Sequence, residues 1–461
     1  MNNYYEQYKR IIKFISSSVI VSLEVGIYWI VWNYYYNMII EFPFFRRGNW
    51  LMVCLYAILL LFFLKMYGGF KIGLLKKGNV IYSQILSCIV VNGITYLQIS
   101  LLDKKFQDFI AIIAMTAVDS LCIVVWAWGF NWIYGRLFPQ RKLLLVYGKR
   151  PAFNLMEKIN SREDKYLISG ALDISIGLEA VMAAAKNYAG VIIGDLPAHE
   201  RNALMKQCFS CGLRTYTVPK ISDILLRTSD ELNIFDSPLL LSRNEGMHFE
   251  QRIVKRSMDI LCAGIGLLIS APFFVLIAIS IKLTDRGPVF YKQTRLTKWG
   301  KTFEIYKFRT MIQNAETMGA QLACKHDPRI LPVGKLLRAT RLDELPQLIN
   351  VLKGEMSMVG PRPERPELAA EIEKDIPEFN YRLMVKAGLT GYAQIYGKYN
   401  TTSYDKLKLD LTYIRKYSVW MDLKLMILTP KIMFMKESTE GVNGKNSQEE
   451  GIRQAAMSEE R

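Results

Sequence analysis

The chain has 461 residues, 51% of them hydrophobic and 22% charged, with a formal charge of +17. That length allows two or three domains, and the composition suits a membrane protein with soluble parts. The charge would fit a nucleic-acid binder, but no nucleic-acid motif occurs and the membrane segments argue against one, so no nucleic-acid partner is expected. Anionic lipid head groups and phosphate ligands account for the charge more economically.

Four long apolar runs open the chain: Ile11–Tyr34, Trp50–Tyr67, Val80–Leu102 and Phe109–Tyr134. Each approaches the roughly 20 residues needed to cross a bilayer. One such run fits a buried soluble helix, but four in succession predict a four-span bundle over residues 1–136. Tyr34-Tyr35-Tyr36 and the aromatics from Trp126 to Tyr134 fit interfacial belts. The first run lacks a small-residue cleavage site and more spans follow, so no cleavable signal peptide is expected. Lys9, Arg10 and Lys13 open run one, Lys65, Lys71, Lys76 and Lys77 separate runs two and three, and Arg136, Arg141 and Lys142 follow run four. The other loops carry fewer cations, which places both ends of the bundle in the cytoplasm. Glu24 and Asp119 fall inside predicted spans, where charge is costly; they serve either bundle packing or a functional path.

Residues 142–241 read as a soluble α/β module. Leu143 to Gly148, Ala189 to Asp195 and Leu213 to Val218 are expected strands. Leu178–Lys186 and Glu200–Cys211 are expected helices. Alternation of this kind predicts a Rossmann-like parallel sheet. Gly148 is not followed by a glycine-rich fingerprint, so a regulatory or oligomerising role is favoured over nucleotide binding. Cys208-Phe209-Ser210-Cys211 has no second pair, and His199, His248 and His326 lack ligand spacing, so zinc is not expected.

The segment 257–283 is strongly apolar but contains Pro272, with Lys255 and Arg256 before it and Lys282 and Arg286 after it. A helix broken near Ser270-Ala271-Pro272, entering and leaving on the cytoplasmic side, keeps both cation clusters in the cytoplasm. Ser270 could bond a carbonyl freed by the proline. A kinked spanning helix remains the physical alternative.

Phosphate chemistry needs an oxygen nucleophile, an acid or metal ligand, and fixed positive charge. Thr340 to Gln347 contains adjacent carboxylates, Asp343 and Glu344, at the expected start of a short helix ending at Gly354. A helix N-terminus favours ionised carboxylates and bound phosphate. On local grounds alone the helix-cap reading of Asp343 is the stronger one. Arg362 lies between Pro361 and Pro363, which restrict its backbone. Lys307 and Arg309 share one face of an expected strand, with Phe308 on the other. Arg338 precedes Asp343 by five residues. Residues 417–435 mix apolar side chains with Asp422, Lys424 and Lys431 and read as interfacial. Glu437–Arg461 is polar and expected to be disordered.

These blocks, with Lys255-Arg256-Ser257-Met258-Asp259, Asn350 to Ser357, Val359 to Pro363 and Gly388 to Gln394, make residues 250–436 resemble the bacterial sugar transferase family, the monotopic polyprenyl-phosphate hexose-1-phosphate transferases. The expected architecture is therefore membrane α plus α/β: a four-helix transmembrane bundle, a Rossmann-like module and a catalytic α/β domain with a re-entrant helix. The resemblance implies transfer of a sugar 1-phosphate from a UDP-sugar to undecaprenyl or another polyprenyl phosphate, releasing UMP, as the first membrane step of surface-glycan synthesis. It implies Asp343 as nucleophile through an aspartyl phosphosugar, and Glu344 as acid/base or Mg²⁺ ligand. Mg²⁺ is the expected cofactor, held by both carboxylates. Lys307, Arg309, Arg338, Gln347, Arg362 and Asp410 are the implied phosphate-site residues. A bacterial inner-membrane location, a cytoplasmic active site, membrane lipid contact, homodimerisation and downstream glycosyltransferase partners are implied as well. Two departures stand out. Arg341 replaces a usual serine or threonine, and Lys386-Ala387-Gly388 replaces a usual Arg-Pro-Gly. The competing reading is a non-catalytic membrane assembly or regulatory protein of the same pathway; a soluble-type P-loop enzyme fails for want of a glycine-rich phosphate loop.

Overall fold

The computed structural model describes residues 7–148, 153–160, 162, 165–234, 236–242, 246–313, 327–397 and 401–433. The tail 437–461 and His326 lie outside the described residues. Two compact units, 1–219 and 220–461, divide the chain.

The first unit opens with four helices, α1 (Lys9–Ile39), α2 (Arg47–Tyr67), α3 (Lys77–Leu102) and α4 (Ile110–Leu137), each long and apolar enough to cross a membrane. Successive helices pack on one another, and α1 packs on α2 and α4. Ile20, Tyr28, Trp32, Tyr56, Leu60, Val91 and Ile123 fill the core. Leu51, Ile58, Leu97, Val125 and Trp128 face outward, as expected for helices solvated by lipid. Gly68 ends α2 at φ 81°, a left-handed cap that glycine adopts without Cβ strain. Tyr36 departs from the expected belt: it is wholly buried, and its hydroxyl donates to the Asp108 carbonyl at 2.9 Å.

The α/β module follows as β1 (Arg141–Tyr147), α5 (Phe153–Asn160), β2 (Tyr166–Asp173), α6 (Leu178–Ala185), β3 (Val191–Ile193), α7 (Ala198–Ser210) and β4 (Thr215–Thr217). The sheet is parallel, in the order β2-β1-β3-β4. The unexpected strand β2 has a physical explanation. Its register slips between Leu143 and Leu144, whose partners are Ile168 and Gly170, so Ser169 bulges and spoils the alternation that marks a strand.

The second unit begins earlier than the sequence implied. Residues 220–241, read as the end of the α/β module, fold as α8 (Ile221–Arg227) and a hairpin of β5 (Asp230–Ile234) and β6 (Ser237–Leu241). Ile221 and Ile224 pack against Ala369, Phe379, Leu407 and Leu411, which draws α8 into this unit. Then come the long α9 (Phe249–Asp285), the antiparallel pair β7 (Phe290–Leu296) and β8 (Thr302–Phe308), α10 (Pro332–Thr340), α11 (Gln347–Lys353), β9 (Ser357–Val359), α12 (Pro366–Asp375), β10 (Gly388–Thr390), α13 (Tyr392–Tyr396), α14 (Ser403–Arg415) and α15 (Val419–Met433).

Helix α9 has 37 residues and runs through Pro272 as a continuous α-helix, without the expected backbone break. Pro272 lacks the N–H that would bond the Leu268 carbonyl. The Ser270 hydroxyl donates to Leu267 instead, at 3.3 Å, so it does not satisfy the freed group. Leu261, Leu268, Ile269, Val275, Leu276 and Leu283 are exposed along its length. Its other face is anchored at both ends. Asp259 accepts from Ser357 Oγ and Met358 N, both at 2.9 Å. Ala263 packs with Leu348 and Val351, while Ile277 and Ile281 pack with Phe308 and Leu337.

Lys255 is a buried, charged anchor. Its Nζ donates to Asp422 Oδ2 at 2.6 Å and to the Val359 carbonyl at 2.9 Å, and the Tyr413 hydroxyl accepts from it at 3.2 Å. Asp422, which helped mark α15 as too charged to span, thus faces inward, while Trp420 and Leu423 face outward. Removing one partner of a buried pair strands the other charge, so Lys255→Met should destabilise the fold by about 3–5 kcal/mol. Adding Asp422→Leu should recover most of that loss. Thermal unfolding of both variants measures it, and a double variant no more stable than the single one would refute the account.

Candidate active site

Three short elements bring the two central carboxylates together. Helix α10 starts with Pro332, whose missing N–H costs nothing in a first turn, and stops at Arg341, a left-handed residue at φ 57°. That sharp reversal leads into a 3₁₀ turn, Leu342–Glu344, and then into α11, which Gly354 ends at φ 86°. One continuous helix from Asp343 to Gly354 was the expectation. Pro346 cannot donate to the Leu342 carbonyl, and Leu345 N bonds that carbonyl at 3.3 Å instead, which tightens the turn. Leu342 and Leu345 pack beneath this turn with Ile277, Ile281 and Phe308, so the carboxylates ride on the inner face of α9.

Glu344 is the hub. Its Oε1 accepts from Lys307 Nζ and from Arg362 Nη2, each at 3.1 Å, and lies 3.9 Å from Arg341 Nη1. Burial alone would raise its pKa. Lys307, Arg362 and Arg341 outweigh that effect and hold it well below the usual carboxylate range. Glu344 is thus ionised throughout the neutral range and has no proton to donate, which favours a metal-ligand or charge-organising role over an acid role.

Asp343 contrasts with its neighbour. Among the described residues no hydrogen bond or ion pair engages its carboxylate, although it is buried. Burial raises its pKa, the Glu344 charge adds to the rise, and Lys307, Arg338 and Arg341 oppose it. One carboxylate is locked among cations and the other is left uncommitted. Arg338 sits in the last turn of α10, 4.0 Å from Met311 Sδ, within electrostatic reach of Asp343. Gln347 is buried at the start of α11.

Two expected members lie elsewhere. Strand β8 ends at Phe308, and the buried Arg309 pairs with Asp285 Oδ2, 2.8 Å away at the end of α9, rather than joining Lys307. Gly287 leaves room for that guanidinium, since a Cβ there would meet Arg309 at a clashing distance. Asp410 is fully buried and pairs with Arg382 Nη2 at 2.9 Å. Burial pushes its pKa up to about 6, with Arg382 opposing. Arg382 in turn donates to the Arg362 carbonyl at 3.0 Å and reaches Glu364 at 3.4 Å. Asp410 is therefore a support behind Arg362 and not a phosphate contact. Asp285, Glu364 and Arg382 escaped the sequence reading because their partners lie far along the chain. Lys386 lies beside Arg256 and Asp259 at the base of α9, and Ala387 fills the core with Met356.

Among the described residues no group of three or more His, Cys, Asp or Glu side chains has metal-binding spacing. Two adjacent carboxylates nonetheless fit Mg²⁺, which usually takes one or two protein carboxylates and fills its octahedron with water and substrate phosphate.

Comparison with known proteins places this geometry in context. The model of the bacterial sugar transferase family matches residues 250–436. A UDP-N-acetylgalactosamine-undecaprenyl-phosphate N-acetylgalactosaminephosphotransferase from Aeromonas hydrophila is 42% identical over 179 residues, 38% of this chain and 42% of that protein. A UDP-glucose:undecaprenyl-phosphate glucose-1-phosphate transferase from Escherichia coli K12 is 40% identical over 201 residues, 42% of each chain. The chain thus spans under half the length of these two relatives. A putative undecaprenyl-phosphate N-acetylgalactosaminyl 1-phosphate transferase from Bacillus subtilis 168 is 51% identical over 130 residues, 28% of this chain and 73% of that protein.

Proposed function

The chain belongs to the bacterial sugar transferase family, and from that premise we propose that it transfers a sugar 1-phosphate from a UDP-sugar to undecaprenyl phosphate. The observation that carries this reading is the uncommitted Asp343 carboxylate beside a Glu344 held ionised by Lys307, Arg341 and Arg362.

In the first step an Asp343 Oδ attacks the β-phosphorus of the UDP-sugar. The bond from that phosphorus to the bridging oxygen breaks, and UMP leaves with the electron pair. In the second step a phosphate oxygen of the lipid attacks the same phosphorus and displaces Asp343, giving a polyprenyl diphosphate sugar and free carboxylate. Lys307, Arg338, Arg341 and Arg362 supply fixed positive charge around the transferring phosphoryl group. Mg²⁺, held by Asp343 and Glu344 with substrate phosphates, would neutralise charge on the diphosphate. Arg382 and Asp410 hold the Arg362 backbone in position.

A cytoplasmic active site at the inner membrane belongs to this reading, supported by the proposed nucleotide donor and by the cation-rich loops of the bundle. The packing of α9 supports one part of the re-entry reading, that both of its ends lie on the same side of the membrane, while the helix itself shows no break at Pro272. Lys255 near its start and Asp285 at its end both bond to the same soluble core, so a straight span would pull that core across the bilayer. Cysteines placed at Arg252 and Arg286 should both react with a membrane-impermeant reagent applied from the cytoplasmic side; protection of either one refutes re-entry. Homodimerisation and hand-over of the product to downstream glycosyltransferases complete the proposal.

The reaction is tested by incubating purified protein with undecaprenyl phosphate, Mg²⁺ and UDP-N-acetylgalactosamine, UDP-glucose or UDP-galactose, one at a time. UMP release is expected with one donor and should stop on adding EDTA. No release with any of them overturns the reading.

A further inference from the structure

The α1–α4 bundle buries a polar cluster that the transfer reaction does not use. Near the middle of its helices, inward-facing polar groups meet: Glu24 from α1, Tyr56 from α2, Cys88 and Asn92 from α3, and Thr116 and Asp119 from α4. Glu24 and Asp119 are fully buried. Tyr56 Oη donates to Asn92 Oδ1 at 2.9 Å, and Asn92 Nδ2 donates to Thr116 Oγ1 at 2.9 Å and to Asp119 Oδ2 at 3.2 Å. The Thr116 hydroxyl proton goes to the Ile112 carbonyl, 2.7 Å away.

Counting donors and acceptors reveals an imbalance. The protons of Tyr56, Asn92 and Thr116 are committed to one another, to Asp119 Oδ2 and to the backbone. Among the described residues, no amide, hydroxyl or cationic group donates to either Glu24 oxygen or to Asp119 Oδ1; only the Cys88 thiol reaches Glu24. The Cys88 thiol, a weak donor, lies beside Glu24, and the two carboxylates act on each other electrostatically. Among the described residues, no lysine, arginine or histidine is buried in the bundle to balance them. Two buried carboxylates without counter-charge are costly, more so within a bilayer. What stays unpaired is a set of oxygen lone pairs, which calls for positive charge rather than for another acceptor.

We propose that Glu24 and Asp119 bind an exchangeable hard cation in the middle of the bundle, in competition with protons. Carboxylate, phenol and hydroxyl oxygens select Na⁺, Mg²⁺ or Ca²⁺ over soft metals. Thr116 and Tyr56 supply neutral oxygens, and Asn92 orients Asp119.

Dicyclohexylcarbodiimide, which modifies protonated carboxyl groups in apolar surroundings, tests this on the full-length protein in detergent. In metal-free choline chloride, mass spectrometry should find the adduct on Glu24. Replacing choline by Na⁺, Mg²⁺ or Ca²⁺ at constant pH and ionic strength should, for one of them, slow labelling at least about tenfold and raise the Tm, because a ligand of the native state stabilises it. Asp119→Asn should keep Glu24 labelling but lose cation protection and the Tm shift. Thr116→Val, which removes one neutral oxygen, should weaken protection and serves where Asp119→Asn fails to fold. Labelling that responds to pH but to none of the cations means protons alone and overturns the proposal. Absence of labelling together with a cation-independent Tm overturns it as well.

Discussion

Asp343→Asn should lower kcat for UMP release by at least about 1,000-fold, a loss of roughly 4 kcal/mol of transition-state stabilisation. Asparagine keeps the shape of the side chain but offers no anionic oxygen to phosphorus. The site should otherwise survive, because among the described residues no hydrogen bond or ion pair engages the Asp343 carboxylate. Size-exclusion behaviour and Tm should therefore match wild type, which separates lost chemistry from lost fold. A second readout is covalent. With donor labelled at the β-phosphorus and no lipid acceptor present, wild-type protein should retain label on the peptide carrying Asp343, and the variant should retain none. Turnover above a tenth of wild type would remove Asp343 from the nucleophile role.

Glu344→Gln and Lys307→Met should move the pH profile in opposite directions. The acid limb of kcat/KM reports ionisation in the free enzyme. Burial and the Glu344 charge raise the Asp343 pKa, whereas Lys307 lowers it. Removing the Glu344 charge should therefore let Asp343 ionise more easily and carry the limb to lower pH. Losing Lys307 should carry it to higher pH. On the plateau, Glu344→Gln should still cost about 100- to 1,000-fold, the usual effect of removing one preorganised electrostatic group. Stability follows the same charges. Glu344 has a depressed folded pKa, so its contribution is full above its unfolded pKa of about 4.3 and fades as pH falls. Glu344→Gln should consequently be less stable than wild type at neutral pH and approach it in acid. Limbs that move in the same direction for both variants would contradict the electrostatic account.

Long-period patterns were legible in the chain, while partners chosen by tertiary packing were not. The four apolar runs match helices α1–α4 closely because hydrophobic length carries that signal. Asp343 and Glu344 were found together because they are adjacent, and Arg362 because its prolines restrict the backbone. Arg309 was misplaced because strand periodicity cannot show that β8 ends one residue earlier, nor that Asp285 waits nearby. Asp410 was misread for a related reason: an acidic residue on a helix looks alike whether it meets phosphate or a buried arginine, and Arg382 lies 28 positions upstream with no local mark. Strand β2 was lost to a bulge, and the 3₁₀ turn before α11 to a hydrogen bond that Pro346 cannot make.

The Lys255 anchor also has a consequence for biosynthesis. Its partners Val359, Tyr413 and Asp422 follow it by 104, 158 and 167 positions. At roughly 5–20 residues per second, a ribosome needs about 10–30 s to deliver Asp422 after Lys255 has been made. During that interval the apolar helix carries an uncompensated ammonium group, so its stable docking awaits the C-terminal part of the chain. Helix α9 therefore completes its seat late in synthesis, and a nascent chain stalled before residue 422 would hold it without its counter-ion.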